Sequence, residues 1–187
     1  MSEYRFTDGN LLVLYAVHKG KSVTGGGLPD YIKERIKVCL DTHRMIMGSR
    51  PDKHKTMVMI VGDHSTAEKA REELIKGEIS DGTIALDTDS QNMAETIGRI
   101  ADMIKSKPNP PFIYFIGSVW LQDIFKSTVA GRLKGYRTQF YGALDHRSVD
   151  EVEREKALDP PKMTIENYKY QAKNKAVDIL LNIVFPD

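Results

Sequence analysis

The stretch Leu11-Leu-Val-Leu-Tyr-Ala-Val17 is continuously apolar, which is typical of a β-strand that has helices packed on both of its faces. Four further apolar runs follow it along the chain, at residues 57–61, 83–86, 112–116 and 138–144. Amphipathic stretches with helical spacing separate these runs, and the alternation is typical of βαβ units. The sequence therefore predicts a three-layer α/β/α, Rossmann-like domain with a mainly parallel sheet of about five strands.

The length and the charge balance limit the domain organisation and the partners. The chain has 187 residues, with 27 Lys and Arg against 26 Asp and Glu, so its formal net charge is +1. We expect a single domain over residues 1–187, with a core over about 10–145 and a C-terminal helical extension over about 148–185. A nucleic-acid-binding protein carries a basic excess, so we expect no nucleic-acid partner.

The chain has one cysteine, Cys39, which excludes an intrachain disulfide and a multi-cysteine zinc site. Cys39 lies on the apolar side of a predicted helix, so we expect it in the core. The longest apolar run, residues 11–17, is much shorter than the ~20 residues of a membrane-spanning helix. Residues 1–9 are polar and do not read as a secretory signal, so we expect no membrane partner and a cytoplasmic location.

Polar residues follow each predicted strand. In open parallel sheets, ligands bind beyond the carboxyl ends of the strands, where the strand order reverses. We therefore expect a binding cleft between the ends of the first and fourth strands. The polar residues that follow the strands are, in chain order, His18, then Gly62, Asp63 and His64, then Ser90, then Ser118 and Trp120, then Asp145, His146 and Arg147. Of the whole chain, we expect the cleft to be lined by His18, Gly25 to Gly27, Asp63, His64, Ser90, Asn92, Glu95 and Ser118.

Two segments, residues 25–27 and 63–68, can contact a ligand, but each can also have only a structural role. Gly25, Gly26 and Gly27 can cradle a phosphate with their backbone N–H groups, or they can form only a flexible loop. Asp63 and His64 are the residues predicted to act as general base if the protein is an enzyme. Ser65 and Glu68 have the spacing of a capping box at the start of the same helix.

The segment after the fourth strand is equally ambiguous. Ser118 follows a strand as a nucleophile would, but Gly117-Ser-Val-Trp-Leu121 is not a G-x-S-x-G elbow, so it can equally cap a helix. Trp120 can stack on a ring in the cleft or pack in the core. The histidines His18, His64 and His146 lack a metal-binding spacing, and we predict no metal site.

Ser90, Asn92 and Glu95 form a third candidate group. Thr88 and Gln91 have the spacing of a second capping box, and Ser90 can also cap a helix by itself. Asn92 and Glu95 are three residues apart on one helix face. Their amide and carboxylate groups can hold a ribose-like hydroxyl, or they can tie neighbouring loops together without touching a ligand.

The order of these motifs resembles the YdcF/SanA/ElyC-like family of α/β domains, over about residues 10–145. Ser90-Gln-Asn92-Met-Ala-Glu95 is similar to the family's Ser-x-Asn-Thr-x-Glu, with Met93 in place of its threonine. Weaker similarities lie at the loop Gly25–Gly27, at Arg35-Ile36, at Gly62-Asp63 with Thr66-Ala67, and at Gly117-Ser118. Leu121 and Ile124 stand where the family has a histidine and an arginine, and Thr66 stands where it has an acid. The resemblance thus implies the family scaffold with part of its polar cleft replaced.

Two functions remain open. The first is binding of a small polar metabolite, nucleotide-like or phosphorylated, at the carboxyl edge of the sheet; if the protein is an enzyme, a transferase or hydrolase fits. The sequence identifies no cofactor, although a nucleotide-like ligand is compatible with it. The alternative is a non-catalytic scaffold with a decayed family site, whose last helix, at about residues 165–184, mediates homo-oligomerisation.

Overall fold

The computed structural model describes residues 9–18, 27–49, 55–105 and 107–158. The chain divides into two compact units, Met1–Arg147 and Ser148–Asp187. Strands and helices alternate along the described part of the first unit. In chain order they are β1 (Asn10–Tyr15), α1 (Asp30–Ser49), β2 (Thr56–Val61), α2 (His64–Lys76), β3 (Ile84–Asp87), α3 (Met93–Ile104), β4 (Phe112–Ser118), α4 (Gln122–Arg132) and β5 (Thr138–Ala143).

The five strands form one parallel sheet in the order β3-β2-β1-β4-β5. Helices α1 and α2 pack on one face of the sheet through one apolar cluster, and α3 and α4 pack on the other face through a second cluster. The predicted three-layer, Rossmann-like architecture is therefore confirmed, with every strand pair parallel.

Strand β1 lies at the centre of the sheet, which explains its unbroken apolar sequence. Because successive side chains of a strand point to opposite faces, Leu12 and Leu14 enter the cluster under α1 and α2. Leu11 and Val13 enter the cluster under α3 and α4. All four side chains are fully buried, so these positions of β1 lie in the apolar core on both faces of the sheet.

Two predicted helix starts are wrong by a few residues. The N-cap of α2 is Asp63, whose Oδ1 accepts a hydrogen bond from the Thr66 backbone N–H at 3.0 Å, so Ser65 lies inside the first turn. The N-cap of α3 is Asn92 and not a residue of the 88–91 segment. In both helices the residue directly before the first turn, Asp63 or Asn92, is the N-cap in place of the predicted serine or threonine.

The second unit is described only at its start. Helix α5 (Val149–Leu158) begins with the predicted capping box, in which Ser148 Oγ accepts from the Glu151 N–H and a Glu151 carboxylate oxygen accepts from the Ser148 N–H. The last predicted helix, at residues 165–184, lies outside the described residues.

Candidate functional site

The strand order reverses between β1 and β4, since the chain moves outward from β1 through β2 to β3 and then returns to the other side of β1. The helices that follow β1 and β4 lie on opposite faces of the sheet. In open parallel sheets this arrangement places a crevice at the carboxyl ends of the two strands. His18 follows β1, and Ser118 ends β4. The predicted cleft position therefore corresponds to the switch point of the observed sheet.

Arg35 of α1 lies beneath this crevice and is fully buried. Its Nε and Nη2 donate to Ser118 Oγ at 3.0 and 2.8 Å, and its Nη1 donates to the backbone oxygen of Tyr15 at 2.9 Å. The planar guanidinium of Arg35 thus joins α1 to the ends of β1 and β4, a geometry that a lysine ammonium does not reproduce.

Asp145, two residues after β5, is the centre of the polar contacts. Its Oδ2 accepts from Ser118 Oγ at 2.8 Å, from Trp120 Nε1 at 3.1 Å and from Arg147 Nη2 at 2.6 Å. Its Oδ1 accepts from Arg147 Nε at 2.8 Å. Burial alone raises the pKa of Asp145, but the hydrogen bonds from Arg147, Ser118 and Trp120 and the charge of Arg147 outweigh burial and hold that pKa well below its ordinary value.

Tyr31, in the first turn of α1, connects the two arginines with the end of β1. The Arg147 Cζ lies 3.7 Å from the centroid of the Tyr31 ring, and the Arg35 Cζ lies 4.9 Å from it. Both distances are within the range of cation–π attraction. The Tyr31 hydroxyl shares a hydrogen bond with His18 Nδ1. We call this connected set the switch-point cluster; its members are His18, Tyr31, Arg35, Ser118, Trp120, Asp145 and Arg147.

Burial decides which members of the switch-point cluster a ligand can touch. Ser118 is fully buried, and the Asp145 side chain is only 6% exposed. The Arg147 side chain is 18% exposed, and His18 and Trp120 are partly buried. A ligand in the crevice therefore meets His18, Trp120 and Arg147, while Ser118 and Arg35 support them from below.

Ser118 and Asp145 have the contact of a nucleophile and its base, but their surroundings disfavour that chemistry. A depressed pKa makes Asp145 a weak base at neutral pH. Two N–H groups of Arg35 occupy the acceptor side of Ser118 Oγ. The arrangement is suited to holding charged and polar groups in place for binding.

The candidates after β2 lie one strand away from the switch point. Asp63 and His64 are exposed, and Asp63 caps α2, while the His64 side chain makes no hydrogen bond within the described residues. Gly62 is buried, and a Cβ added there would lie 2.9 Å from the backbone oxygen of Ala16. The close approach of the β1 and β2 ends thus explains the glycine without a ligand.

The candidates after β3 form a separate network. Ser90 Oγ donates to Asp87 Oδ2 at 2.6 Å and so does not cap α3, and Asp87 also pairs with Arg99. Asn92 Oδ1 accepts from the Glu95 N–H at 2.9 Å, while the Glu95 carboxylate accepts from Asn92 Nδ2 and from the Gln91 N–H. The hydrogen bonds of Ser90, Asn92 and Glu95 hold the start of α3 and the preceding loop together, which is one of the two roles considered for these residues.

An open groove of about 590 Å³ lies on the surface beside this network. Its lining carries charges of both signs, and it includes two of the predicted site residues; the lining residues are Asp89, Ser90, Glu95, Gly98, Arg99, Asp102, Met103 and Arg132. The ends of β3 and β4 are three strand spacings apart, which is roughly 14 Å. The structure thus places His18, Ser118 and Trp120 in the switch-point cluster and Ser90 and Glu95 at this α3–α4 groove, while Asp63 and His64 belong to neither.

Four members of the switch-point cluster were not among the predicted ligand residues: Tyr31, Arg35, Asp145 and Arg147. Asp145 and Arg147 were recognisable as polar residues after the fifth strand. Arg35 gave a weaker signal, a lone cation on the otherwise apolar face of α1. The predicted glycine loop is described only at Gly27, which is exposed and has room for a Cβ. Gly25 and Gly26 lie outside the described residues.

Two further features concern metals and membranes. The described residues contain no group of three or more His, Cys, Asp or Glu side chains arranged to hold a metal ion. Within the same part of the chain, no helix is long and apolar enough to cross a membrane.

Comparison with known proteins gave no match: no family model, no curated protein and no solved structure is similar to this chain at a significant level.

Proposed function

We propose that the protein binds a small anionic metabolite, phosphorylated or nucleotide-like, in the crevice between the ends of β1 and β4. The observation that carries the proposal is the position of the switch-point cluster, because open parallel sheets bind ligands at this point. The resemblance to YdcF-like proteins is compatible with this proposal but is not needed for it.

The charges of the switch-point cluster support an anionic ligand. The cluster contains two guanidinium groups, Arg35 and Arg147, and one carboxylate, Asp145. The partly exposed His18 adds donor capacity at the mouth of the crevice, where its ring contacts Tyr31. The Nε and Nη2 of Arg147 and all three nitrogens of Arg35 already donate to protein acceptors. The two guanidinium groups therefore favour an anion through their excess positive charge over the single carboxylate.

The scaffold alternative has support of its own. Leu121, at the position of the family histidine, is fully buried in the cluster under α3 and α4, and Ile124 is partly exposed on α4. Ser118 and Arg35 are bonded to each other and buried, as in a structural link. On this alternative the switch-point cluster only joins α1 to the sheet and no small anion binds there. Cytoplasmic location and oligomerisation through the last helix stay predictions.

Thermal unfolding with a panel of anions tests the proposal. The panel holds inorganic phosphate, sugar phosphates and nucleoside phosphates, and each is measured against the wild type, Arg147→Gln and His18→Ala. A ligand at 100 times its Kd adds about 2.7 kcal/mol to the free energy of unfolding, which raises Tm by several degrees. We expect the ligand-induced rise in Tm to disappear in both variants.

The matched control is Lys126→Gln, which removes an exposed cation of α4 whose Nζ lies 3.9 Å from Asp123. This variant should keep the full ligand-induced rise in Tm. If no anion raises Tm, or if all variants respond as the wild type does, the proposal is wrong and the scaffold alternative replaces it. His64→Ala, tested in parallel, should bind as the wild type does, because His64 lies beyond the switch point.

A further inference from the structure

An apolar shelf borders the switch-point cluster at the ends of β4 and β5. Ser118 is in register with Ala143, so Val119 and Leu144 are the next residues on the two adjacent strand ends. Val119 is 50% exposed and Leu144 is 63% exposed. Exposed aliphatic side chains that follow two adjacent strand ends can serve as an apolar wall beside a polar site, and such walls hold most of the ligand in binding pockets.

Trp120 joins this shelf to the charged part of the crevice. Its indole packs against the apolar cluster under α3 and α4, and its Nε1 donates to Asp145 at 3.1 Å. The ring is thus fixed on two sides while remaining partly exposed. The hydrogen bond to Asp145 brings it to the same carboxylate that Arg147 holds at 2.6 Å.

Backbone geometry keeps the shelf in place. A Cβ added at Gly142 of β5 would lie 2.9 Å from Val119 Cγ2, so the Val119 side chain rests directly on the β5 backbone. Trp120 and Val119 lie in a 3₁₀ turn, Val119–Leu121, between β4 and α4. The Val119 part of the shelf is therefore supported by the sheet, and Leu144 directly follows the last residue of β5.

We propose that the anion bound in this crevice is a nucleoside phosphate, whose base lies on the shelf of Val119, Trp120 and Leu144 and whose phosphate faces Arg147 and His18. This inference rests on the proposed function and narrows it. An aromatic base has a flat apolar face that matches the shelf, and base stacking on an aromatic ring is favourable for every base. A sugar phosphate has the anionic group but nothing to cover the shelf.

Trp120 is the only tryptophan of the chain, so its fluorescence reports on this site alone. The experiment titrates the wild type with ribonucleoside monophosphates, with the parent nucleosides and with ribose phosphate, and follows the quenching of Trp120. We expect quenching by at least one monophosphate, with an affinity about tenfold higher than that of ribose phosphate measured by calorimetry.

Val119→Ser and Leu144→Ser are the test variants, because both side chains are exposed and their loss leaves the core intact. Each should weaken binding of the monophosphate severalfold and leave binding of ribose phosphate unchanged. Ile75→Ser is the matched control: it removes an exposed aliphatic side chain of α2, 41% exposed, and should change neither affinity.

The outcomes separate the two proposals. If ribose phosphate binds as tightly as the monophosphates and the shelf variants change nothing, the base assignment is overturned and the anion site stands. If no phosphate compound binds, both proposals are overturned. If nucleosides bind as tightly as their monophosphates, the shelf is a binding surface but the anion site is overturned.

Discussion

Asp145 is held as a carboxylate by the three side chains that donate to it, Ser118, Trp120 and Arg147. Because its pKa is lowered in the folded protein, the folded state binds a proton at Asp145 less readily than the unfolded state does. The resulting stabilisation is complete at pH values above the unfolded pKa of about 3.9 and is lost as the pH falls toward the lowered folded pKa.

We therefore predict that Asp145→Asn lowers the free energy of unfolding by about 2 kcal/mol at pH 7, since Arg147 and Trp120 lose a charged acceptor. The difference between variant and wild type should shrink as the pH falls below about 4. Urea unfolding at pH 7 and pH 3 measures both quantities. A difference that is equal at the two pH values would mean that the folded-state pKa of Asp145 is not lowered.

Cys39 is fully buried in the cluster under α1 and α2, as its place on the apolar side of α1 predicted. Burial raises the pKa of the Cys39 thiol to about 12, so almost none of it is thiolate at pH 8. We predict that a thiol reagent such as Ellman's reagent modifies Cys39 only after denaturant is added. Rapid stoichiometric modification of the native protein would contradict this position.

Helix α3 begins with a reciprocal pair of hydrogen bonds between Asn92 and Glu95. The same two residues were predicted either to contact a ligand or to organise the loop, and the observed bonds occupy their polar atoms within the helix start. Asn92→Ala should therefore cost about 1 kcal/mol of stability, the usual cost of losing an N-cap. Binding of anions to the Asn92→Ala variant should equal that of the wild type.

Chemical denaturation measures the loss of stability in Asn92→Ala, and calorimetric titration measures whether this variant still binds anions. Glu95→Gln is a suitable companion, because it keeps the shape of the pair while removing its charge. Loss of anion binding in Asn92→Ala at unchanged stability would move the binding site from the switch-point cluster to the α3–α4 groove.

At the scale of the whole molecule, Arg35 joins one helix layer to the sheet at the switch point, through Ser118 of β4 and the backbone of β1. We predict that Arg35→Met destabilises the protein by about 3 kcal/mol, because buried acceptors lose charged donors. Arg35→Lys should recover little of this loss, since one ammonium does not reach both strands. Equilibrium unfolding in urea checks both variants; a cost below about 1 kcal/mol would show that the link is dispensable.

The sheet was predictable because a strand buried on both faces has no polar positions, as residues 11–17 show. The predicted position between the first and fourth strand ends coincides with the switch point of the sheet, and His18, Ser118 and Trp120 belong to one connected cluster there. Helix starts were less predictable, since Asp63 and Asn92 are as good caps as their serine and threonine neighbours.

Arg35 and Tyr31 could not be assigned to the site from the sequence, because helix periodicity reports burial and not the partner of a buried group. Whether an arginine on an inward face reaches the sheet or bends out to solvent depends on tertiary contacts. Ser90 and Glu95 were grouped with Ser118 because all of them follow strands. Their separation became evident only from the strand order, which places β3 and β4 on opposite sides of β2 and β1.

Backbone amide chemical shifts during titration with a phosphate ligand show directly whether a small anion binds at the switch point. If it does, the largest shift changes should occur at residues 16–18, 118–120 and 145–147, with little change in α3. Shift changes concentrated at residues 89–103 and at Arg132 would instead place the ligand in the α3–α4 groove.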